Sequence, residues 1–141
     1  MKVIDATNLS LGRLASYSAK QALSGEQISI INSEKALVTG NKKAILKKYF
    51  EMRDIGTRYQ GPFYPRTPHR MVKRAIRGMI PYKKPRGRAA MNLVKAYIGV
   101  PPELAEAEQV SVDVAKVDIA HKRKYLTVGD LCKELGAKIT W

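Results

Sequence analysis

A chain of 141 residues with 45% apolar content has the size and composition of one ordinary globular domain, and we expect a single domain over 1–141. Its 26 Lys and Arg against 12 Asp and Glu give a net charge of +14, which favours a polyanionic partner. The opening residues lack the apolar stretch of a secretory signal, no apolar run reaches the roughly 20 residues of a membrane span, and the single cysteine, Cys132, cannot form an intrachain disulfide. A reducing, cytoplasmic compartment is therefore expected.

The first 32 residues predict a strand, a helix and a second strand. Residues 2–6 are typical of a short buried strand, and 28–31 are rich in β-branched isoleucine. Ser10 is the candidate N-cap of the helix between them, and Gly25 is its stop signal. The apolar face of that helix consists of Leu11, Leu14, Ala15, Ala19, Ala22 and Leu23. This order predicts an α/β fold with a parallel pair of strands and a right-handed crossover.

A short strand at 36–38 and a second helix follow. Thr39, Gly40 and Asn41 open the helix, whose start and solvent side carry Lys42, Lys43, Lys47 and Lys48. Its apolar side consists of Ile45, Leu46, Tyr49, Phe50 and Met52.

Residues 56–67 are predicted to form an extended arm outside the core. The arm contains Gly61 followed by Pro62, and also Pro65, which disfavour regular structure. Its aromatic residues, Tyr59, Phe63 and Tyr64, lie among Arg58 and Arg66.

Thr67 followed by Pro68 predicts the start of a third helix, because proline is favoured at the first helical position. At about 100° per residue, one sector of this helix is apolar and the opposite sector is cationic. The apolar sector consists of Met71, Val72, Ala75, Ile76 and Met79. The cationic sector consists of Arg70, Lys73, Arg74 and Arg77. We expect the first sector in the core and the second against a polyanion.

Beyond this helix, Pro81, Pro85 and Gly87 predict a loop at 82–88 that carries four cations, followed by a short helix at 89–94 and a strand around 96–98. In the C-terminal extension, 103–141, Val110, Val112 and Val114 alternate like an extended edge. Thr127 and Asp130 resemble a capping box for a final helix that ends at Gly136. The apolar residues of that helix are Val128, Leu131, Cys132 and Leu135.

The charge excess belongs to one segment. Residues 42–95 contain 16 basic residues and two acidic ones, whereas the remaining 87 residues carry ten of each sign. From 55 to 102 no carboxylate occurs at all. Because unbalanced like charges repel each other in a folded chain, we expect a polyanion to lie against this basic half of the domain, 42–95.

Catalytic and metal-binding patterns are missing from the sequence. Neither a phosphate-binding G-x-x-x-x-G-K motif nor a G-x-G-x-x-G fingerprint occurs. His69 and His121 are 52 positions apart and there is one cysteine, so no metal-ligand spacing exists. Cys132 falls on an apolar helix face and is expected to be a buried structural thiol. Spacing along the chain therefore offers no positive case for an enzyme, a cofactor or a metal, and leaves open a site that only folding would assemble.

Folded RNA is the polyanion that the residues favour most. Lys and Arg bind phosphates, and exposed aromatic rings stack on unpaired bases. The alternative for each aromatic residue of the arm is that its ring packs against the protein core. A membrane surface is disfavoured because the apolar face of the third helix lacks Trp, Phe and Leu. No zinc finger, basic zipper or helix-turn-helix supports a DNA-binding module.

Several longer motifs occur along the chain: the opening Ile4-Asp-Ala6 with Leu11-Gly-Arg-Leu-Ala-Ser16, then Ile76-Arg-Gly-Met-Ile-Pro81, Tyr82-Lys-Lys-Pro-Arg-Gly-Arg88 and Val94-Lys-Ala-Tyr-Ile-Gly99. Together these motifs resemble the large-subunit ribosomal protein L13 family. The stretches Gly61-Pro-Phe-Tyr-Pro-Arg66 and Lys124-Tyr-Leu-Thr-Val-Gly129 are similar to the archaeal and eukaryotic branch. The resemblance runs from about residue 3 to 101.

The resemblance implies a three-layer α/β/α domain with a small, mainly parallel four-stranded sheet. It also implies a structural role in the large ribosomal subunit, not an enzymatic one, with no cofactor, with rRNA and neighbouring ribosomal proteins as partners and with a part in subunit assembly. The RNA-binding residues expected in the basic half are Arg58, Arg66, Arg70, Lys73, Arg74, Arg77, Lys83, Lys84, Arg86 and Arg88, with Tyr59 and Tyr64. A second patch consists of Lys42, Lys43, Lys47 and Lys48. An RNA-modifying enzyme and a regulator of messenger RNA are the alternatives.

Overall fold

The computed structural model of the chain describes residues 1–57, 59–117 and 124–138. Arg58, expected at the RNA, and His121 lie outside these residues. Among the helices of the described residues, none combines the length and the apolar character that crossing a membrane would require.

The N-terminal part contains the predicted strand, helix and strand. Strand β1 spans Lys2–Asp5, helix α1 spans Leu11–Leu23 and strand β2 spans Ile28–Ile31. β1 and β2 pair in parallel, with Ile4 opposite Ile30. The parallel pair predicted from the order of elements is therefore confirmed.

Helix α1 buries the face that its sequence pattern predicts. Leu14 and Ala15 are fully buried, and Ala19 and Ala22 nearly so. Ser10 occupies the N-cap position, but its side chain makes no capping hydrogen bond; its carbonyl oxygen accepts the Leu14 N–H at 2.9 Å. The hydroxyl predicted as a cap is thus not used as one.

The strands form two small sheets instead of the single four-stranded sheet expected. Strand β4, Val94–Ala96, pairs in parallel with β2 and gives the order β1-β2-β4. Strand β3, Leu37–Thr39, pairs antiparallel with β5, Tyr125–Thr127, in a separate ribbon. After β2, Asn32 adopts a left-handed conformation (φ 52°) and a 3₁₀ turn follows at Ser33–Lys35. This turn leads the chain out of the parallel sheet, so β3 finds its partner elsewhere.

Three helices form the middle of the chain. They are α2, Lys42–Asp54, α3, Pro68–Met79, and α4, Pro85–Asn92. The loop predicted at 82–88 is wrong in its second half, because Pro85 lies in the first turn of α4, where its missing N–H costs no hydrogen bond. The helix predicted at 89–94 therefore begins and ends earlier, and the strand predicted around 96–98 begins at 94.

The two faces of the parallel sheet are covered differently. On one face, Ile4, Ile28 and Ile30 belong to the main core, to which α1, α3 and α4 contribute. On the other face, Val3 and Ile31 pack with Leu104 and with the half-buried Tyr97 and Ala107. The chain around the 3₁₀ turn at 102–104 thus forms the layer on that second face.

The alternating valines near the C-terminal end do not form a strand. Val110 donates its N–H to the carbonyl oxygen of Val3 at 2.8 Å, but a 3₁₀ turn follows at Asp113–Ala115. That turn buries Ala115 and leaves Val114 79% exposed, so the alternation does not continue.

The final helix, α5, spans Val128–Glu134 and begins with the cap that the sequence predicts. The Thr127 hydroxyl oxygen accepts the backbone N–H of Asp130 at 3.0 Å and donates to the Asp130 carboxylate at 2.7 Å. The acid thus bonds the threonine side chain, whereas in a standard capping box it bonds the threonine N–H. Leu131, Cys132 and Leu135 are buried as predicted.

Candidate nucleic-acid interface

Helix α3 separates its apolar and cationic residues almost as its sequence predicts. Met71, Val72 and Ile76 are buried in the main core, and Ala75 is half-buried beside them. Met79, expected in the core, is 46% exposed. The helix ends at Met79 and the chain turns inward at Ile80, which takes the buried position instead.

The opposite face of α3 presents cations to solvent. Arg70, Lys73 and Arg77 are exposed, and Arg74 is half-buried. Within the part of the chain that the structure describes, neither Arg70 nor Lys73 has a hydrogen-bond or ion-pair partner. Their charges are therefore available to an external anion.

Arg74 ties the arm at 56–67 to α3. Its guanidinium carbon lies 4.5 Å from the centroid of the Tyr64 ring, and its Nη1 donates to the carbonyl oxygen of Phe63 at 3.1 Å. Tyr64 in turn meets Tyr49 of α2 edge to face, with ring centroids 5.6 Å apart. Burial, followed by the neighbouring Tyr49, raises the pKa of Tyr64, although the Arg74 charge opposes the shift. The arm, expected outside the core, is thus attached to it at Tyr64.

The rest of the arm is open. Tyr59 is 88% exposed and Phe63 is 69% exposed, so both rings are accessible for stacking, whereas the Tyr64 ring is already in contact with Arg74 and Tyr49. Arg66 is also exposed. A Cβ on Gly56 would lie 2.0 Å from the carbonyl oxygen of Gly61, and Gly56 has φ +96°, so only glycine fits at the base of the arm.

The turn before α4 and the first turn of α4 extend the cationic surface. Lys83, Lys84, Arg86 and Arg88 are exposed. Gly87 lets the helix approach the preceding turn, since a Cβ there would lie 2.1 Å from the carbonyl oxygen of Pro81. The close approach that this glycine permits is thus to the protein's own backbone.

The lysines of α2 form a second exposed patch. Lys42 pairs with Glu134 at 3.2 Å, and Lys47 pairs with Glu51 at 3.9 Å. Lys43 and Lys48 have no such pair among the described residues. This patch is therefore partly neutralised within the chain, unlike the face of α3.

His69 reports the local charge at the start of α3. Partial burial lowers the pKa of this imidazole, and the positive charges of Arg70 and Lys73 lower it further. The neutral form is therefore favoured while no anion lies nearby.

A cavity of about 390 Å³ opens on the cationic face of α3. Its lining residues are Pro65, Arg70, Lys73, Arg74, Arg77 and Met91. Sequence reasoning placed the four cations on this face but missed Pro65 and Met91. They come from the arm and from α4, and no spacing along the chain indicates that they meet.

The remaining reactive group, Cys132, lies away from this surface in the core, and its burial is confirmed. Burial raises the pKa of its thiol to about 12, so the thiolate does not form at neutral pH. Among residues 1–57, 59–117 and 124–138, no cluster of three or more His, Cys, Asp and Glu side chains has a geometry suited to a metal ion.

The family model of ribosomal protein L13 matches residues 1–103. The chain belongs to the ribosomal protein L13 family. The match includes the arm, α3, the turn at 81–84 and α4, which together carry the cationic surface. The resemblance inferred from the sequence motifs is confirmed.

Archaeal relatives extend the similarity beyond the family model. The chain is 48% identical to the large ribosomal subunit protein uL13 of Methanococcoides burtonii over 138 residues, which cover 98% of this chain and 99% of that protein. It is 47% identical to the protein of the same name from Methanosarcina barkeri, and 48% identical to that from Methanococcus maripaludis, each over 98% of this chain and 99% of the relative. The C-terminal extension is therefore shared with these L13 proteins.

Membership of this family decides between the broad classes of function. L13 is a family of structural ribosomal proteins, so the chain is a ribosomal protein and not an enzyme, and it acts in the ribosome, in the cytoplasm. The fold of this L13 protein belongs to the α/β class, as the sequence predicts.

Proposed function

We propose that this L13 protein is a structural component of the large ribosomal subunit, binds large-subunit rRNA through its cationic surface and supports subunit assembly. The names of the archaeal relatives support the first part, because each is a large ribosomal subunit protein. The observation that supports RNA binding is the face of α3, where Arg70 and Lys73 stand exposed in a stretch without carboxylates from 55 to 102.

The phosphate-binding residues are the exposed cations of α3, the arm, the turn at 81–84 and α4. They are Arg66, Arg70, Lys73, Arg77, Lys83, Lys84, Arg86 and Arg88, together with Arg58 outside the described residues. Arg74 holds the arm against α3 and so positions the surface. Lys42, Lys43, Lys47 and Lys48 form a second contact, and Tyr59 stacks on an unpaired base. We expect no cofactor.

Backbone contacts fix the protein on its RNA without reading bases, so the shape of the rRNA determines where it binds. α2 and α3 are held together through Tyr49, Tyr64 and Arg74, which keeps the two cationic patches in a fixed relation. An rRNA fold with phosphates at both patches is therefore preferred over a single regular helix. Neighbouring ribosomal proteins would meet the C-terminal extension, where acidic residues return.

The experiment that tests this proposal is titration of the full chain with large-subunit rRNA transcripts at several salt concentrations. The affinity should fall steeply as salt increases, since each neutralised phosphate contributes about 0.9 to the slope of log K against log salt. Sedimentation of cell extracts should place the protein with large subunits. A protein found mainly in free messenger complexes, or an affinity independent of salt, would contradict the proposal.

A further inference from the structure

The cavity on the cationic face of α3 combines two kinds of lining. Its apolar lining comes from Pro65 of the arm and Met91 of α4, which lie on elements separated by α3 in the sequence. Both residues are half-buried, and Met91 packs against the main core. The cavity is thus a place where three elements meet, and its apolar side is supported from behind by the folded protein.

The cations around the cavity differ in their contacts within the chain. Arg74 is held by the Tyr64 ring and the Phe63 carbonyl oxygen, and Arg77 lies 5.1 Å from the centroid of the Tyr82 ring. These two guanidinium groups are held in place by contacts within the chain. Arg70 and Lys73 have no partner in the described part of the chain. One half of the rim is therefore preorganised, and the other half is free to bind an anion.

A regular helix, a lone phosphate and an unpaired nucleotide differ in how well they fit this cavity. A regular A-form helix presents phosphates and 2′-hydroxyls on a convex surface, so it does not fill a cavity with an apolar side. A lone phosphate has no apolar part that would contact Met91 or Pro65. An unpaired nucleotide carries both a flat apolar base and a phosphate, and its base stacks on guanidinium planes as well as on aromatic rings.

We propose that this cavity binds a single unpaired nucleotide of the RNA, with the base against Met91, Pro65 and the plane of Arg74, and the phosphate at Arg70 and Lys73. This assignment rests on the proposed RNA-binding function and adds the class of nucleotide that the surface recognises. At about 390 Å³, the cavity lies within the size range of small-ligand sites.

A neighbouring cavity provides an internal control. It has a volume of about 410 Å³ and lies on the other side of Arg74, between α2, the arm and α3. Half-buried Met52 lines it together with Ile55 and Pro62, and Arg74 is the one cation among the described residues that line it. Because this described lining has no counterparts of Arg70 and Lys73, the cavity should not hold a nucleotide phosphate.

The test is methyl NMR of the full chain labelled at its methionines, titrated with two short RNA duplexes that differ by one bulged adenosine. The ring current of a bound base should move the Met91 methyl signal upfield with the bulged duplex and leave it nearly unchanged with the fully paired one. The Met52 signal should stay in place with both. Inorganic phosphate should move neither methionine.

Matched variants of Met91 give a second measurement. Met91→Gln keeps the length of the side chain but removes its apolar end, and Met91→Leu keeps the apolar character. The glutamine variant should lose roughly two- to tenfold in affinity for the bulged duplex, the size of the apolar contact that the base loses, and nothing for the paired duplex. The leucine variant should bind both duplexes almost as the native protein does.

The outcomes separate this inference from the proposed function. If both duplexes bind with salt-sensitive affinity while the Met91 signal and the Met91→Gln affinities are unchanged, RNA binding stands and the nucleotide site is overturned. An equal shift of the Met52 and Met91 signals also overturns it. If neither duplex binds even at low salt, the proposed function fails and the nucleotide site fails with it.

Discussion

The segment from 55 to 102 and the rest of the chain differ in the groups that lie next to their cations. Outside this segment, several lysines pair with carboxylates, as in Lys2 with Glu26 and Lys116 with Asp113, each at 2.6 Å. Inside it, Arg74 and Arg77 lie over aromatic rings, and other cations remain exposed. The same residue types thus serve the free protein in one region and, in our proposal, an external polyanion in the other.

The cationic segment is attached to the core mainly through apolar side chains. The buried side of α3, with Met71, Val72 and Ile76, belongs to the same core as the N-terminal strands. Exposed ion pairs contribute only about 0–1 kcal/mol each, so neither region owes much stability to them. Stability and binding should therefore respond to different substitutions.

The largest expected effect comes from placing a charge on the buried side of α3. Ile76→Asp should lower the free energy of unfolding by at least about 4 kcal/mol, because Ile76 is fully buried and an unpaired carboxylate there loses its hydration. Met79→Asp is the matched control on the same helix. Met79 is 46% exposed, so this variant should stay folded. Urea unfolding measures both, and equal destabilisation would show that the faces of α3 are misplaced.

The next effect sharpens the contrast between the two regions. Arg70→Gln combined with Lys73→Gln should weaken rRNA binding by roughly tenfold or more and reduce the salt slope by about 2, because two phosphate contacts are lost. Lys2→Gln combined with Lys116→Gln removes the same charge from ion-paired positions. This control should weaken rRNA binding far less. If the two double variants lost the same affinity, binding would depend only on net charge and not on the cationic face of α3.

A smaller effect is expected at Arg74, which acts within the chain. Arg74→Lys keeps the charge but loses the planar guanidinium group over the Tyr64 ring, so the arm should loosen. The free energy of unfolding should fall by about 1 kcal/mol. Hydrogen exchange of the arm amides measures this directly. Arg70→Lys, at an exposed neighbour, should leave exchange unchanged. If Arg74→Lys also leaves the arm protected, the ring contact does not hold it.

The smallest effect concerns pH. The pKa of His69 in the folded protein lies below its ordinary value. At pH values between the folded and the unfolded pKa, the unfolded chain binds more protons than the folded one. The stability of the free protein should therefore fall as the pH decreases from 7. His69→Gln should remove that part of the pH dependence. RNA phosphates would offset the charges of Arg70 and Lys73, so the rRNA affinity of the native protein should rise over the same decrease, in contrast to the variant. A native protein whose stability is independent of pH between 7 and 5 would contradict the local charge balance.

Local patterns in the sequence predicted most of the elements. The helical period placed the buried residues of α1, α3 and α5, because a helix repeats its environment within a few residues. The arrangement of strands was harder to predict, since pairing depends on residues far apart. Nothing near β3 indicates that its partner lies at 125–127, and the turn that follows Asn32 depends on a left-handed residue that the sequence alone did not reveal.

The candidate site also has features that local sequence predicts and features that depend on distant contacts. The cations of α3 follow from its periodicity, and the charge imbalance at 42–95 is visible in the sequence. The positioning role of Arg74 and the apolar side of the cavity were not predictable. Arg74 meets Tyr64 ten positions earlier, and Met91 lies beyond a turn, so only the folded chain brings them together.

The most direct test of the central claim is chemical protection in purified large ribosomal subunits. Amine- and guanidinium-modifying reagents would be applied to the free protein and to intact subunits, and the modified positions mapped by mass spectrometry. We predict that Arg70, Lys73, Lys83 and Lys84 react in the free protein and are protected in the subunit, with RNA cross-links at the same positions. Full reactivity of these four side chains in intact subunits would contradict the account.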